Sequence, residues 1–177
     1  MTSKKLVLIL SSIFIILMGM TSCEKKNDPP KKLEVQKNIY DENADARTDI
    51  ARAIAEAQQT NRHILLMFGG NWCIWCHRLH HLFMEDPTIN QFLNQNYIRV
   101  MIDVGKRDKN LDLNDKYGNP YAQGFPVLVI LDKDGNQLQT QETGSLEYTA
   151  AESKEKGHHP ARVLQFLKTW APASSKL

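Results

Sequence analysis

The stretch from His63 to Met84 constrains the fold more than any other part of this chain. It opens with HILLMFGG, a compact apolar run ended by two glycines, which suits a buried strand. It continues through Trp72-Cys73-Ile74-Trp75-Cys76-His77 and on to Met84 without a breaker, placing Cys76, Leu79, Leu82 and Phe83 at helical spacing. A Cys-x-x-Cys pair therefore lies between a predicted strand and a predicted helix. Cysteines at i and i+3 of a helix start are close enough to form a disulfide. The unpaired N–H groups and dipole of the helix N-terminus also stabilise a thiolate on the first of them. The second lies a turn deeper. This asymmetry makes Cys73 the expected nucleophile and Cys76 the expected resolving thiol, which displaces substrate from a mixed disulfide.

The rest of the domain alternates in the same way. From Asp45 to Thr60, Ile50, Ala53, Ile54 and Ala57 recur at helical spacing with a solvated opposite face. After Asp86-Pro87, Thr88 to Asn94 can form a short helix. Tyr97 to Val104 (YIRVMIDV) is a second strand candidate, and Pro126 to Leu131 (PVLVIL) a third. Asp134-Gly135 between PVLVILDK and NQLQTQ signals a hairpin. Pro160 can open a closing helix with Val163, Leu164, Leu167 and Trp170 on one face. Strand–helix alternation followed by an antiparallel pair predicts an α/β fold, a central mixed β-sheet flanked by helices on both faces. The polar segment 105–124 (GKRDKNLDLNDKYGNPYAQG) either lines a substrate groove or forms a surface loop with a short helix around Leu111 to Tyr117.

The first residues suggest export. Lys4 and Lys5 precede an almost wholly apolar stretch from Leu6 to Met20, followed by Thr21, Ser22 and Cys23. A short basic start, an apolar stretch and small residues make a secretory signal over 1–22. The stretch is shorter than the ~20 residues that comfortably span a bilayer. Met20-Thr21-Ser22-Cys23 resembles the lipobox of bacterial lipoproteins, in which the cysteine is lipidated, although Leu usually stands at the Met20 place and Gly or Ala at the Ser22 place. The alternatives are an ordinary cleaved signal with a free Cys23, or an uncleaved anchor. Residues 23–38, Lys-rich and broken by Pro29-Pro30, read as a lipidated Cys23 and a flexible tether. The domain then occupies 39–172, with a tail at 173–177. The expected location is the cell envelope, periplasm-facing and held to a membrane by the lipid anchor.

Charge and cysteine count narrow the function. The formal charge is +2, and without Lys4 and Lys5 it balances at 20 basic against 20 acidic residues, leaving no basic field for nucleic acid. Three cysteines in 177 residues are too few for a structural framework, so a pair among them is chemical. Two rivals use the same residues. Cys73-x-x-Cys76-His77 also spells the attachment motif of a c-type haem, with Met84, Met101 or another His as second ligand. The small cytochromes that carry such haems are largely helical and have no use for three strand-like runs. His77, His80 and His81 with the cysteines could alternatively hold zinc or copper. Two thiolates and His77 do not easily converge from one helical turn, and the expectation is no metal and no organic cofactor.

At this point the chain resembles the thioredoxin superfamily. The matching pieces are LLMFGGNWCIWC, YIRVMIDV, GFPVLVILDKDG and the C-terminal amphipathic helix, which together cover about residues 45–171 in the family's order. In detail it is similar to the periplasmic thioredoxin-like domain of membrane disulfide reductases. The resemblance implies a thioredoxin-like fold and a thiol–disulfide oxidoreductase acting on protein thiols and disulfides. The expectation is a monomeric reductant served by a membrane redox partner, with an oxidant or isomerase as the alternative within this fold. It implies a cis bond before Pro126, with Phe125 and Pro126 orienting substrate and Trp72 shielding the disulfide. Two departures stand out. Met67 occupies the place of the buried Asp that thioredoxins carry six residues before the first cysteine. Ile74-Trp75 between the cysteines adds no cation beside Cys73, so an extremely acidic thiol is not expected. His77 is the candidate source of some positive charge at mildly acid pH.

Overall fold

The computed structural model describes residues 38–154 and 156–173. The signal segment, Cys23, the tether to residue 37 and the last four residues lie outside them. Four strands form one sheet: β1 (His63–Gly69), β2 (Tyr97–Asp103), β3 (Val127–Leu131) and β4 (Gln137–Glu142). Among the described residues five α-helices accompany it: α1 (Ala46–Thr60), α2 (Ile74–Glu85), α3 (Pro87–Asn96), α4 (Leu111–Lys116) and α5 (Pro160–Thr169). The strand order is β2-β1-β3-β4, with β1 parallel to β2 and antiparallel to β3, and β3 antiparallel to β4. The mixed α/β sheet expected from the sequence is the one observed. Among the described residues no helix is long and apolar enough to cross a membrane.

The continuous apolar run of β1 has a direct cause. Successive strand residues point to opposite faces, and both faces of this central strand are covered. On one side Leu65 and Met67 of β1, with Leu128 and Ile130 of β3, pack against Leu79 and Phe83 of α2, Ile89 and Leu93 of α3, and Val163, Phe166 and Leu167 of α5. On the other side Ile64, Leu66, Phe68, Val127, Val129 and Leu131 pack against Ile50, Ala53 and Ala57 of α1 and against Leu113, Tyr117 and Tyr121. Each fully buried aliphatic side chain contributes about 1.5–3 kcal/mol of transfer free energy. β4, by contrast, is an edge strand of sequence QLQTQE with no buried residue, as a solvated margin requires.

Local signals set the element ends. Asp45 caps α1 by accepting from the Arg47 amide, and Asn61 closes that helix in the left-handed region at φ 51°. Asp86 ends α2 and starts α3. Its amide donates to the Leu82 carbonyl, its carboxylate accepts from the Thr88 and Ile89 amides, and Pro87 occupies the first helical position. In the β3–β4 turn, Asp132 accepts from the amides of Asp134 and Asn136, and Gly135 takes φ 86°. Two expectations shift in detail. Pro126 precedes β3 rather than opening it. The buried stripe of α5 is Val163, Phe166 and Leu167, with Leu164 and Trp170 only packed at its margin, because Phe166 falls three residues after Val163 on the same face.

Candidate active site

β1 ends at Gly69, and a tight turn carries the chain into α2. The Cys73 amide donates to the Gly70 carbonyl at 2.9 Å, and Cys73 itself is the N-cap of α2. Its sulfur accepts from the Cys76 amide at 3.1 Å. One of the unpaired amides at the helix start is thus aimed at the first cysteine's sulfur, as the sequence argument required. Cys73 and Cys76 are joined in a disulfide with Cα atoms 5.2 Å apart. Cys73 keeps 5% of its surface exposed and Cys76 none, so only Cys73 can meet a partner from outside.

Apolar and aromatic side chains surround that opening. Trp72 and Ile74 are 56% and 49% exposed, an unusual exposure for residues of this size flanking a buried cysteine. The Trp72 indole N–H donates to the Gly105 carbonyl at 2.6 Å, and its ring meets Phe125 edge-on with centroids 5.9 Å apart. Phe125 in turn meets Tyr121 at 5.3 Å, and the Arg107 guanidinium lies 5.2 Å over its ring. The Phe125–Pro126 bond is cis, and the buried Thr143 hydroxyl donates to the Pro126 carbonyl at 2.7 Å. Segment 105–124 is therefore anchored at the site through Gly105, Arg107 and Tyr121. It also carries α4, the short helix expected around Leu111 to Tyr117.

On the opposite flank Trp75 is half-buried. Arg78 covers its ring at 4.6 Å, and His158 meets it edge-on at 5.7 Å. His158 is buried, and among the described residues neither ring nitrogen has a hydrogen-bond partner. Burial, helped by the Arg78 charge, pushes its pKa down to about 4. His77 is also buried, and its Nε2 lies 2.9 Å from the Asn71 carbonyl. A carbonyl can only accept, so Nε2 carries the proton in this contact. The ring thus braces the turn before Cys73, and its Nδ1 has no partner among the described residues. His80 and His81 lie further along α2. Among the described residues no group of three or more His, Cys, Asp or Glu side chains is arranged to hold a metal ion.

Three features left no mark in the sequence reading. Asn71 accepts from the amides of Ile39 and Tyr40, both at 3.0 Å, and donates back to the Tyr40 carbonyl at 3.0 Å. This clamp fastens the start of the domain to the active-site turn. Asp103, at the end of β2, is buried and paired with Lys109 at 2.7 Å, a partner that holds the Lys109 ammonium pKa above its usual value. The third feature is His158 against Trp75. Met67 is buried in the cluster that contains both cysteines, where it offers no titratable group.

A disulfide-forming Cys-x-x-Cys at a strand-to-helix junction, on a mixed sheet with a cis-proline turn alongside, defines a thioredoxin-like protein. The model of the thioredoxin-like family matches residues 45–133, and the chain belongs to that family. Over 97 residues it is 29% identical to the disulfide bond reductase DsbH of Chlamydia pneumoniae, covering 50% of this chain and 57% of that protein. The chain thus spans little more than half of that relative. The crystal structure of a disulphide isomerase from Xylella fastidiosa Temecula1 matches with a TM-score of 0.64 at 31% identity, covering 76% of this chain and 97% of the other. The oxidised C-terminal domain of DsbD from Neisseria meningitidis shares the fold at a TM-score of 0.51 and 16% identity, covering 71% and 96%.

Proposed function

We propose that this protein is a thiol–disulfide oxidoreductase acting on protein disulfides, and that it works as a reductant. The observation that carries the reading is Cys73 at the N-cap of α2. There it is partnered by the Cys76 amide and is the cysteine of the pair with exposed surface. In the reduced protein the Cys73 thiolate attacks a substrate disulfide, forming a mixed disulfide and releasing one substrate thiolate. Cys76 then attacks Cys73, and the second substrate sulfur leaves with the electron pair. Trp72, Phe125 and the cis Pro126 line the approach and orient an extended substrate.

Two considerations favour the reducing direction. The relative from Chlamydia is described as a reductase. The intervening Ile74-Trp75 adds no cation to stabilise a Cys73 thiolate, and a less stabilised reduced form makes a better reductant. His77 is retained as a candidate modulator of Cys73, acting through the Asn71 turn that it braces. The pattern of residues 1–23 supports an exported protein lipidated at Cys23. The globular domain at 39–172 would then act in the envelope as a monomer, recharged by a membrane redox partner. Insulin reduction by the purified protein tests the chemistry. Activity should vanish in Cys73→Ser, and unchanged turnover in that variant would refute the assignment. Labelled palmitate incorporated into the wild type but not into Cys23→Ser tests the anchor.

A further inference from the structure

The resolving cysteine has a neighbour with an unused hydroxyl. Tyr40 is buried at 2% exposure, and among the described residues its hydroxyl has no hydrogen-bond partner. A methyl group placed on Gly69 would come 2.5 Å from the Cys76 sulfur and closer still to the Tyr40 hydroxyl oxygen. The two atoms are therefore less than twice that distance apart. Gly69 is needed here because any side chain would drive between them. The position of Tyr40 is fixed, since Asn71 grips its amide and its carbonyl. A buried hydroxyl without a partner is costly, and retaining one beside a reactive sulfur calls for a state in which it is used.

We propose that Tyr40 donates a hydrogen bond to the Cys76 thiolate and so makes resolution possible in a site where Met67 offers no titratable group. The inference rests on the redox reading given above. In the disulfide form the Cys76 sulfur carries no charge and the hydroxyl waits. In the mixed disulfide Cys76 is a free thiol, and releasing its proton to solvent creates a buried anion that needs a donor. The Cys76 thiolate then attacks the Cys73 sulfur. The bond from Cys73 to the substrate breaks, and the substrate sulfur leaves with the electron pair and takes a proton from water. Tyr40 keeps its own proton throughout, because burial, and then the Asp103 charge, push the phenol above its ordinary range. The titratable groups facing this hydroxyl are Cys76 from α2 and Asp103 from the end of β2. Asp103 is committed to Lys109 and to the Gly105 amide, and His77 to the Asn71 carbonyl.

Tyr40→Phe removes the hydroxyl and leaves the ring. The test mixes the reduced full chain carrying Cys23→Ser, so that Cys73 and Cys76 are its two thiols, with Ellman's reagent in a stopped-flow cell. The first thionitrobenzoate released reports attack by Cys73, and the second reports resolution by Cys76. The first phase should stay within about twofold of the parent with Tyr40 intact, while the second slows about tenfold near neutral pH. The pH midpoint of the second phase should rise by about one unit, the equivalent of that tenfold. A purely structural role for Tyr40 would not move that midpoint. An unchanged second phase with an unchanged midpoint overturns the role of Tyr40 and leaves the redox reading standing. Failure of the Cys23→Ser parent with Tyr40 intact to release a second equivalent overturns both.

Discussion

Replacing His158 by Phe separates one proton-linked contribution from the rest of the stability. The ring against Trp75 is kept, and two buried nitrogens without partners among the described residues are removed. In the unfolded chain this histidine titrates near 6.5, and in the folded protein burial lowers it to about 4. Between those values the unfolded state binds the proton and the native state does not. The contribution is therefore fully present above about pH 6.5 and is lost as pH falls toward 4. At ~1.36 kcal/mol per unit, a gap of about 2.5 units corresponds to a loss on the order of 3 kcal/mol. His80, whose pKa burial also lowers, titrates in both proteins and cancels in the comparison. Urea denaturation of wild type and His158→Phe at pH 7.5, 6, 5 and 4 is the assay. The Phe variant should be at least as stable as wild type at pH 7.5 and pull ahead by roughly 3 kcal/mol at pH 4. Parallel stability profiles would refute the reasoning, because His158 would then have no depressed pKa.

Other consequences are simpler to measure. Leu66 is fully buried in the central strand between α1 and the sheet, so Leu66→Ala should cost about 2–5 kcal/mol in the urea transition. A loss below ~1 kcal/mol would mean that the face carrying α1 is not packed as described. Asp86 satisfies two amides at the start of α3, so Asp86→Ala should cost about 1 kcal/mol, and Asp86→Asn much less. Equal losses for the two would show that charge rather than capping matters there. Cys76→Ser should accumulate a long-lived mixed disulfide on Cys73, visible by mass spectrometry. Rapid release of substrate from that variant would mean that Cys76 does not resolve.

Much of this was legible in the sequence because it obeys local rules. The apolar run of β1, the breaker-free spacing of α2, Asp86-Pro87 and the Asp134-Gly135 turn each state their structure within a few residues. The placing of the cysteine pair follows from two of these signals meeting at Cys73. What escaped depends on contacts between distant residues without a periodic signature. Asn71 reaches back to Tyr40, and Trp72 is anchored on a backbone carbonyl at Gly105, which carries no side-chain identity at all. His158 arrives beside Trp75 from an irregular segment held by a single bridge to Glu147. Tyr40 illustrates the point most clearly. As a lone aromatic near the domain's start it is unremarked in the sequence, and only the fold sets its hydroxyl against Gly69 and the resolving sulfur.

The central claim is that Cys73 and Cys76 cycle as one redox pair and lend electrons to other proteins. Equilibration of the purified protein against mixtures of reduced and oxidised glutathione, with the free thiols trapped at each ratio, tests this most directly. A single two-electron transition, absent in Cys76→Ser, is expected at a potential close to the roughly −270 mV typical of thioredoxin. A pair that never cycles, or one poised near the roughly −120 mV of a strong oxidant, would contradict it.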